Sequence, residues 1–494
     1  MAAERYQPAR RRNVLILVAD QFRADAVGVY GSRICRTPVL DRLAREGAYA
    51  PWAFTPTPLC TPARAALFTG RYPHANGLTA NTHYADSPTP RLAPGERLLF
   101  EHLAAAGYRC GYVGKWHLNV GDEAAEARAR GLHEFLDPAQ ALAQYRQRSG
   151  RRSPVVTGTA RSRTMEGSHP PMCGVAPFAP EDHPDFAIAA CASELVFRYR
   201  AEGLGGPDRP FALVCSFRGP HFPIEVPEPY ASLYDPATVP RPRSFDDPLE
   251  GKPQGQRTHP WLQLAAHLTW PEWQRVIAMY WGFCTFIDAL MGRVLQALDE
   301  SGLAERTVVL ATTDHGEMAG HHRMFDKGPY FYDDVVRIFQ IWRAPGLIPA
   351  GTVLTRHISL VDVVPTLLSL LGVPLLPGTP PLQGRDLAAL LTGGADAPWP
   401  VEENVVFAET NEGDRINPQQ NARMVRVPGW KYVWRPDDAD ELYDLAADPD
   451  ELRNILPGTD EAHRARVRSL RDLLRRWMVA TDDPLYRQFM AEDL

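Results

Sequence analysis

The sequence predicts an α/β fold, in which a large, mostly parallel sheet is flanked by helices and is followed by a smaller C-terminal α+β domain. Short apolar runs alternate with longer helical stretches from residue 13 to residue 371, the pattern of strands and covering helices in a parallel sheet. After about residue 400 the pattern changes to short strand-like runs and one helix. The 494 residues also exceed the usual size of one domain. We therefore predict a large domain at 1–395 and a smaller one at 396–494.

Four strands of the large domain are predicted from apolar runs. The first, Asn13–Asp20, is apolar throughout and ends in an acid, which is typical of a central strand covered on both faces. The other three lie at 108–113, 211–217 and 307–313, and helices are predicted at 96–106, 185–202, 272–300 and 360–371. One more helix begins at Thr37-Pro38, a capping residue followed by proline in the first turn, and ends at Gly47.

The smaller domain is predicted from the strand-like runs VVFAET, MVRV and WKYVWRP and from a helix across 460–479. Two segments rich in Pro, Gly, Arg and Ser, 137–184 and 232–268, predict long loops over the sheet, which are more often lids or substrate walls than linkers. The tail 481–494 carries aromatic and apolar residues that can fold back or pack on a neighbouring subunit, so a homo-oligomer stays open.

Composition excludes several classes of protein. The net charge of −6 shows no basic excess, so we expect no nucleic-acid partner. The first twelve residues lack an apolar segment, and the run VLILVAD is far shorter than the ~20 residues of a membrane span, which predicts a cytoplasmic protein with no membrane partner. Seven scattered cysteines without CxxC spacing disfavour a disulfide framework and a structural zinc site.

Polar, titratable residues follow directly after each of the four predicted strands. Ligands of parallel α/β sheets bind outside the carboxyl ends of the strands, where such residues share one edge. The candidate site therefore consists of the groups that end or follow these strands: Asp20-Gln21, Lys115-Trp116-His117, His221 and Asp314-His315.

The most specific motif is C-x-P-x-R, present as Cys60-Thr61-Pro62-Ala63-Arg64 at the start of an apolar helical run. Here the sequence resembles the type I sulfatases of the alkaline phosphatase superfamily, whose cysteine in this motif is oxidised to formylglycine. The resemblance covers most of the chain, through the segments NVLILVADQFRADAVGVYGS, GYVGKWHLN, TTDHGEMAGHH and ELYDLAADPDELRNI.

The resemblance implies an alkaline phosphatase-like fold and a sulfuric ester hydrolase that acts on a small sulfated substrate. A formylglycine-generating enzyme would convert Cys60, one hydroxyl of the hydrated aldehyde would attack sulfur, and the second would later expel sulfate. A helix N-terminus at Cys60 would attract the sulfate, and Arg64, one turn further on, would hold it as a fixed fork of donors. An unmodified thiol offers no comparable release of a sulfated intermediate.

The resemblance also implies a divalent cation that aligns the hydroxyl and neutralises the sulfuryl oxygens. Its expected ligands are Asp20, Gln21, Asp314 and His315, together with the modified Cys60. Many sulfatases have Asp in place of Gln21 and Asn in place of His315, so this site has two formal negative charges instead of three. Ca²⁺ is favoured, and an imidazole ligand also admits Mn²⁺ or Mg²⁺.

Two of the four lysines of this arginine-rich chain, Lys115 and Lys327, stand at motif positions of the family. A compact ammonium can contact one sulfate oxygen, and its pKa can be tuned for proton donation. The resemblance assigns Lys327 and His221 to sulfate binding and leaving-group protonation, and His117 to orienting the hydrate and acting as base. Alternation along an extended segment places Lys115 and His117 on one face, opposite Trp116.

Two alternatives remain. A phosphonate monoester hydrolase or phosphodiesterase resembles this chain in the Asp20-Gln21 and Asp314-His315 pairs, although Lys115 argues against it because the corresponding segment of that relative resembles neutral hydroxyl-bearing residues instead. A non-catalytic protein that binds sulfated ligands has no need of an oxidisable Cys60. Asn81, His83 and Tyr84 are further candidates, for which a place at the mouth of the site and a surface position are both open. The organic half of the substrate is left to the long loops.

Overall fold

The computed structural model describes residues 11–82, 87–151, 173–393, 404–411, 420–457 and 461–492, without the side chains of residues 261, 263 and 264. The predicted boundary between residues 395 and 396 and the candidates His83 and Tyr84 lie outside the described residues.

The strands, in chain order, are β1 (Asn13–Asp20), β2 (Ala48–Tyr49), β3 (Ala53–Phe54), β4 (Arg109–Gly114), β5 (Glu134–Leu136), β6 (Cys173–Val175), β7 (Phe211–Pro220), β8 (Ile224–Val226), β9 (Thr307–Thr313), β10 (Arg337–Ile338), β11 (Gln340–Arg343), β12 (Thr352–Val353), β13 (Ile358–Ser359), β14 (Val406–Thr410), β15 (Ala422–Val427), β16 (Trp430–Trp434) and β17 (Glu441–Asp444). The main sheet has the order β12-β2-β11-β9-β1-β7-β4-β5. Its central strands β9, β1, β7 and β4 are parallel, and β11 is antiparallel to both of its neighbours. The four strands predicted from sequence therefore form the centre of the sheet.

The helices, in chain order, are α1 (Pro38–Glu46), α2 (Cys60–Thr69), α3 (Pro73–Asn76), α4 (Leu99–Ala105), α5 (Glu123–Ala129), α6 (Pro138–Ser149), α7 (Pro184–Ala201), α8 (Gln254–Arg257), α9 (Pro260–Ala265), α10 (Trp270–Glu300), α11 (Asp333–Val336), α12 (Val363–Leu371), α13 (Ala388–Gly393), α14 (Glu461–Ala480) and α15 (Tyr486–Ala491). No helix in the described part of the chain combines the length and the apolar character that a bilayer crossing requires.

The two faces of β1 pack into two separate cores, as its uninterrupted apolar sequence predicts. Leu15 and Leu17 join the cluster of buried side chains formed with α1, α7 and α10. Val14 and Ile16 join the opposite cluster, formed with α2, α4 and α12. Both faces of the central strand are thus buried against apolar side chains, so its polar groups lie at the end of the strand.

The cap of α1 differs from the prediction. The Thr37 hydroxyl accepts a hydrogen bond from the Gly28 amide instead of capping its own helix. The first turn is satisfied by Asp288 of α10, whose carboxylate accepts from the Val39 and Leu40 amides at 3.1 and 2.9 Å. A capping acceptor from a distant helix is a tertiary contact, which the local sequence does not reveal.

The C-terminal part is an antiparallel sheet, β14-β15-β16-β17, covered by α14. The strand β17 was not predicted. The tail folds back, because Phe489 of α15 packs edge-on against Trp434 of β16 with ring centroids 5.1 Å apart. An α/β sheet and a smaller antiparallel sheet confirm the predicted fold class.

Candidate active site

The parallel strands bring Asp20 and Asp314 together at one edge of the main sheet. Ala19 of β1 pairs with Thr313 of β9, so the next residue of each strand carries its carboxylate to the same place. Arg64 of α2 bridges the two acids through Nη2 to Asp20 (3.0 Å) and Nε to Asp314 (2.9 Å). All three side chains are fully buried.

A four-residue cluster of potential metal ligands lies at this edge. Single ligand atoms of Asp20, Cys60, Asp314 and His315 all lie within 4.8 Å of one another. The Cys60 sulfur is 3.1 Å from His315 Nε2 and 3.7 Å from Asp20 Oδ1. Because His315 Nδ1 lies 2.9 Å from the Gly316 carbonyl oxygen, which only accepts, Nδ1 carries the proton of the neutral ring and Nε2 faces the cluster.

The nucleophile candidate begins a helix, as predicted. Cys60 is the first residue of α2 and is buried. The Thr61 amide in the same turn donates to the side-chain oxygen of Asn81 at 3.1 Å, so Asn81 anchors the start of the helix. Asn81 is 2% exposed, which excludes the surface position left open by its sequence context.

The guanidinium of Arg64 lies between the two acids, the end of β4 and Ser216 of β7. It is fully buried and makes four hydrogen bonds, two to the acids and two through Nη1 to the Lys115 carbonyl oxygen (2.9 Å) and the Ser216 hydroxyl (2.8 Å). A guanidinium with these four bonds holds the two carboxylates in place and has few N–H groups free to bind a sulfate. Arg64 is thus a scaffold for the acids, and its role in sulfate binding stays a prediction.

Both motif lysines reach the cluster. Lys115 Nζ lies 2.5 Å from Asp20 Oδ2. Lys327 Nζ lies 2.9 Å from Asp326 Oδ1, 2.9 Å from His221 Nε2 and 2.7 Å from Gln21 Oε1. The Gln21 side-chain oxygen therefore accepts from a lysine here, and its role as a metal ligand stays a prediction.

His117 and Lys115 both line a cavity that opens beside the cluster. Its backbone is left-handed, with a φ of 60°, so the segment is not extended and the alternation argument does not apply. Trp116 is buried against Tyr112 and also borders the cavity. The shared location of Lys115 and His117 comes from the turn after β4.

The charges of the cluster strongly shift its titration. Burial and Asp20 oppose ionisation of the Cys60 thiol, but Lys115, Lys327 and His315 outweigh them and hold its pKa well below the usual range. Burial opposes protonation of His315, yet Asp314 and Cys60 raise its pKa to about 9. A cation that used Nε2 as a ligand would displace that proton.

The pKa values of the two carboxylates are shifted in opposite directions. Burial raises the pKa of Asp20, but Lys115, His221 and Arg64 more than offset this and lower it well below its usual value. For Asp314, burial and the Asp20 charge raise the pKa despite Arg64. Two carboxylates close together behave in this way, because the charge of one opposes the ionisation of the other.

Two other clusters in the described residues also have metal-ligand composition, but each already holds a cationic side chain. At Asp25, His321 and Asp334, the guanidinium of Arg23 lies 2.6 and 2.7 Å from the two acids. The other cluster pairs His74 with Glu409 and Asp483.

A cavity of about 540 Å³ opens beside the cluster. It is lined by the site residues Lys115, His117 and His221, by the apolar side chains Pro138, Phe178, Phe222 and Phe283, and by the charged residues Glu123, Arg218 and Glu225, among others. Pro138 and Phe178 lie in segment 137–184 and form part of the wall, but Pro138 begins the helix α6, so the segment is not the continuous loop that was predicted. No described side chain of segment 232–268 lines this cavity.

Sequence reasoning missed three polar residues of the site. Ser216 stands among apolar residues in β7 and donates from its hydroxyl to the Lys115 carbonyl oxygen. Asp326 precedes Lys327 and pairs with it, and Glu317 follows the Asp314-His315 pair and contacts Gln21. A hydroxyl inside an apolar strand and an acid next to a rare lysine are signals that could have identified the first two.

A parallel sheet with acid, imidazole and thiol groups at its carboxyl edge places the chain among α/β enzymes whose reactive groups sit at strand ends. A sulfatase family model matches residues 12–373, and the chain belongs to the sulfatase family, a family of sulfuric ester hydrolases. A model of the C-terminal region of N-sulphoglucosamine sulphohydrolase matches residues 320–478.

Individual relatives agree with this assignment. The chain is 28% identical to the uncharacterized sulfatase YidJ of Escherichia coli K12, covering 96% of this chain and 88% of that one. It is 26% identical to an arylsulfatase of Clostridium perfringens, covering 94% and 93%. Among solved structures, a phosphonate monoester hydrolase of Agrobacterium radiobacter superposes with a TM-score of 0.74 at 26% identity, covering 94% of this chain and 96% of that one.

Proposed function

We propose that this sulfatase hydrolyses sulfate monoesters with a formylglycine hydrate derived from Cys60 and with one divalent cation, releasing sulfate and an alcohol or phenol. The supporting observation is the position of Cys60 at the start of α2, with its sulfur 3.1 Å from His315 Nε2 and 3.7 Å from Asp20 Oδ1. Formylglycine would supply a hydroxyl nucleophile at the point where these groups converge.

The cation would be held by Asp20, Asp314, His315 and the modified Cys60, with Gln21 as the further candidate. The two carboxylates suit Ca²⁺, which we favour, and the imidazole of His315 also admits Mn²⁺ or Mg²⁺. When bound, such an ion stabilises developing negative charge on oxygen and favours the deprotonated hydroxyl. Arg64 keeps both carboxylates aimed at the same point.

The sulfate group would lie between the ammonium groups of Lys115 and Lys327. Lys115 directly follows β4 and contacts Asp20, and Lys327 lies in the segment between β9 and α11 and contacts Gln21, the neighbour of Asp20. An ammonium is a compact point charge and suits a single sulfate oxygen. Both lysines would therefore neutralise the transferred group.

Leaving-group protonation falls to the Lys327 and His221 pair. His221 Nδ1 lies 2.5 Å from the Phe222 carbonyl oxygen, and Nε2 lies 2.9 Å from Lys327 Nζ. An ammonium only donates, so the shared proton sits on Nζ and Nε2 accepts it, and the pair can pass a proton to an alkoxide or phenoxide in the cavity. His117, which lines the same cavity, would act as the base that restores the aldehyde.

The proposal is tested on protein produced with and without a formylglycine-generating enzyme. Conversion lowers the mass of the Cys60 peptide by about 18 Da, and only the converted protein is expected to release sulfate from nitrophenyl sulfate. A chelator should abolish the activity, and added Ca²⁺ should restore it. The Cys60→Ala variant is the matched control. A converted, Ca²⁺-loaded enzyme that releases no sulfate, or an active Cys60→Ala variant, contradicts the proposal.

Phosphonate monoester hydrolysis is the second candidate, supported by the superposition with the Agrobacterium enzyme and by the Asp20-Gln21 and Asp314-His315 pairs. Lys115, in contact with Asp20, supplies a second ammonium beside Lys327, which suits the three terminal oxygens of a sulfate monoester better than the two of a phosphonate monoester. Comparing kcat/KM on nitrophenyl sulfate and nitrophenyl phenylphosphonate separates the two. A preference for the phosphonate would overturn our choice.

A further inference from the structure

The buried carboxylate of Glu317 lies behind the site and makes no ion pair within the described ranges. Glu317 is 2% exposed and follows His315 by two residues. Its Oε1 accepts from the amides of Ala319 (3.0 Å) and Asp326 (2.6 Å), and its Oε2 accepts from the side-chain amide of Gln21. Both oxygens are thus satisfied by N–H donors, and the group presents only acceptors to its surroundings.

An acceptor at this position determines which way the Gln21 amide faces. The two ends of a glutamine amide have nearly the same shape, but one donates and the other accepts. Because Glu317 takes the nitrogen, the oxygen faces the other way and accepts from Lys327 Nζ at 2.7 Å. The reversed amide would oppose one donor to another at Lys327 and one acceptor to another at Glu317.

The same carboxylate also positions the backbone that carries Lys327. The amide of Asp326, the preceding residue, donates to Glu317 Oε1 at 2.6 Å, and its φ of 65° is left-handed. Lys327 is therefore held through Gln21 at its ammonium and through Asp326 at its base, both of them bonded to Glu317.

We propose that Glu317 is a positioning residue, which orients the Gln21 amide and thereby holds the Lys327 ammonium against His221. The inference rests on the proposed function for its effect on turnover. Its structural core, a relay of hydrogen bonds from Glu317 through Gln21 to Lys327, does not depend on that function.

The informative variant is Glu317→Gln, which preserves shape and replaces one acceptor by a donor. If the new amide oxygen keeps the two backbone bonds, its NH₂ faces the NH₂ of Gln21. Gln21 must then turn round and present a donor to Lys327. We expect kcat on nitrophenyl sulfate to fall about 10- to 100-fold, as when partners behind a reacting group are lost, with KM nearly unchanged.

The double variant Gln21→Glu/Glu317→Gln exchanges the polarity of the pair. A carboxylate at position 21 accepts both from the new side-chain amide at position 317 and from Lys327, so both bonds return. We expect the double variant to recover at least part of kcat, although two independent losses would multiply. The single variant Gln21→Glu places two carboxylates against each other, so its kcat should also be low. A double variant no faster than the slower single variant overturns the proposal, as does an unchanged kcat in Glu317→Gln.

A second readout does not depend on activity. The chain has only four lysines, at 115, 252, 327 and 431, so lysine-selective ¹³Cε labelling gives four signals, and a Lys327→Arg variant assigns the one of interest. That signal should move in Glu317→Gln and return in the double variant. If the parent protein releases no sulfate, the proposed function fails while this test still decides the relay. If Glu317→Gln does not fold, the double variant alone decides, and a Lys327 signal unlike that of the parent overturns the proposal.

Discussion

The guanidinium of Arg64 shows how one side chain can order a reactive cluster. It is fully buried and satisfies Asp20, Asp314, Ser216 and a backbone carbonyl. Two carboxylates in contact repel each other, and a planar fork of donors holds both at fixed angles. A lysine in its place has a single nitrogen and cannot span the same partners.

We expect Arg64→Lys to lower the free energy of unfolding by about 3 kcal/mol, because it leaves buried acids without their partner. Urea unfolding of the unconverted protein measures this without the complication of catalysis. The control is Arg97→Lys, at an i,i+4 pair with Glu101 in which the arginine side chain is 43% exposed. There we expect a loss of about 0 to 1 kcal/mol. Equal losses at both positions would show that Arg64 has no scaffold role.

The end of β7 is the element that joins the reactive cluster to the cavity. Gly219 packs directly on α10, where an added Cβ would lie 2.4 Å from the Phe283 ring. The strand end and Phe283 are thus adjacent, and Arg218, His221 and Phe283 all line the cavity. Arg218 is exposed and makes no ion pair with any described residue.

An arginine free to bind on the cavity wall suits a second anionic group on the substrate. We expect Arg218→Gln to raise KM about tenfold for a carboxylated nitrophenyl sulfate, since one charge-assisted hydrogen bond is lost. KM for plain nitrophenyl sulfate and both kcat values should stay unchanged. Arg200→Gln, at an exposed position of α7 away from the cavity, is the matched control. Equal changes for both substrates would exclude this role for Arg218.

At the scale of the whole molecule, a buried ion pair connects α3 to the C-terminal antiparallel sheet. His74 Nδ1 of α3 lies 2.5 Å from Glu409 Oε2 of β14 and 3.9 Å from Oδ2 of Asp483, which follows α14. Burial opposes protonation, but the two carboxylates raise the pKa of His74. Burial likewise opposes ionisation of Glu409, yet His74 and Arg423 lower its pKa.

The sign of the pH dependence follows from these directions. The raised pKa of His74 stabilises the fold fully below its unfolded value of about 6.5, and the gain is lost as pH rises through the folded value. The lowered pKa of Glu409 stabilises the fold above about 4.3, and that gain is lost at acid pH. We expect His74→Gln to cost about 2 kcal/mol near pH 5.5 and less near pH 9. The control is His267→Gln, at an exposed position. A cost of His74→Gln that does not depend on pH would refute the stabilising role of this ion pair.

Much of the architecture follows from local sequence. The apolar runs 13–20, 211–217 and 307–313 determine central strands, because only residues buried on both faces dispense with alternation. The proline-led motif at Cys60 determines a helix start, and the acids at strand ends could be identified because a buried carboxylate needs a partner. The two-residue strands β2, β3 and β12 carry too little pattern to predict.

The sequence by itself determined the sheet, the cysteine helix and the residues that gather at its edge, since these depend on burial and on the direction of parallel strands. Only the tertiary structure decided that Arg64 braces the acids, that Gln21 faces Lys327 and that Asp288 caps α1. The physical reason is that a polar side chain can satisfy its hydrogen bonds in several ways. The choice among them depends on which distant donors and acceptors the fold brings within about 3 Å.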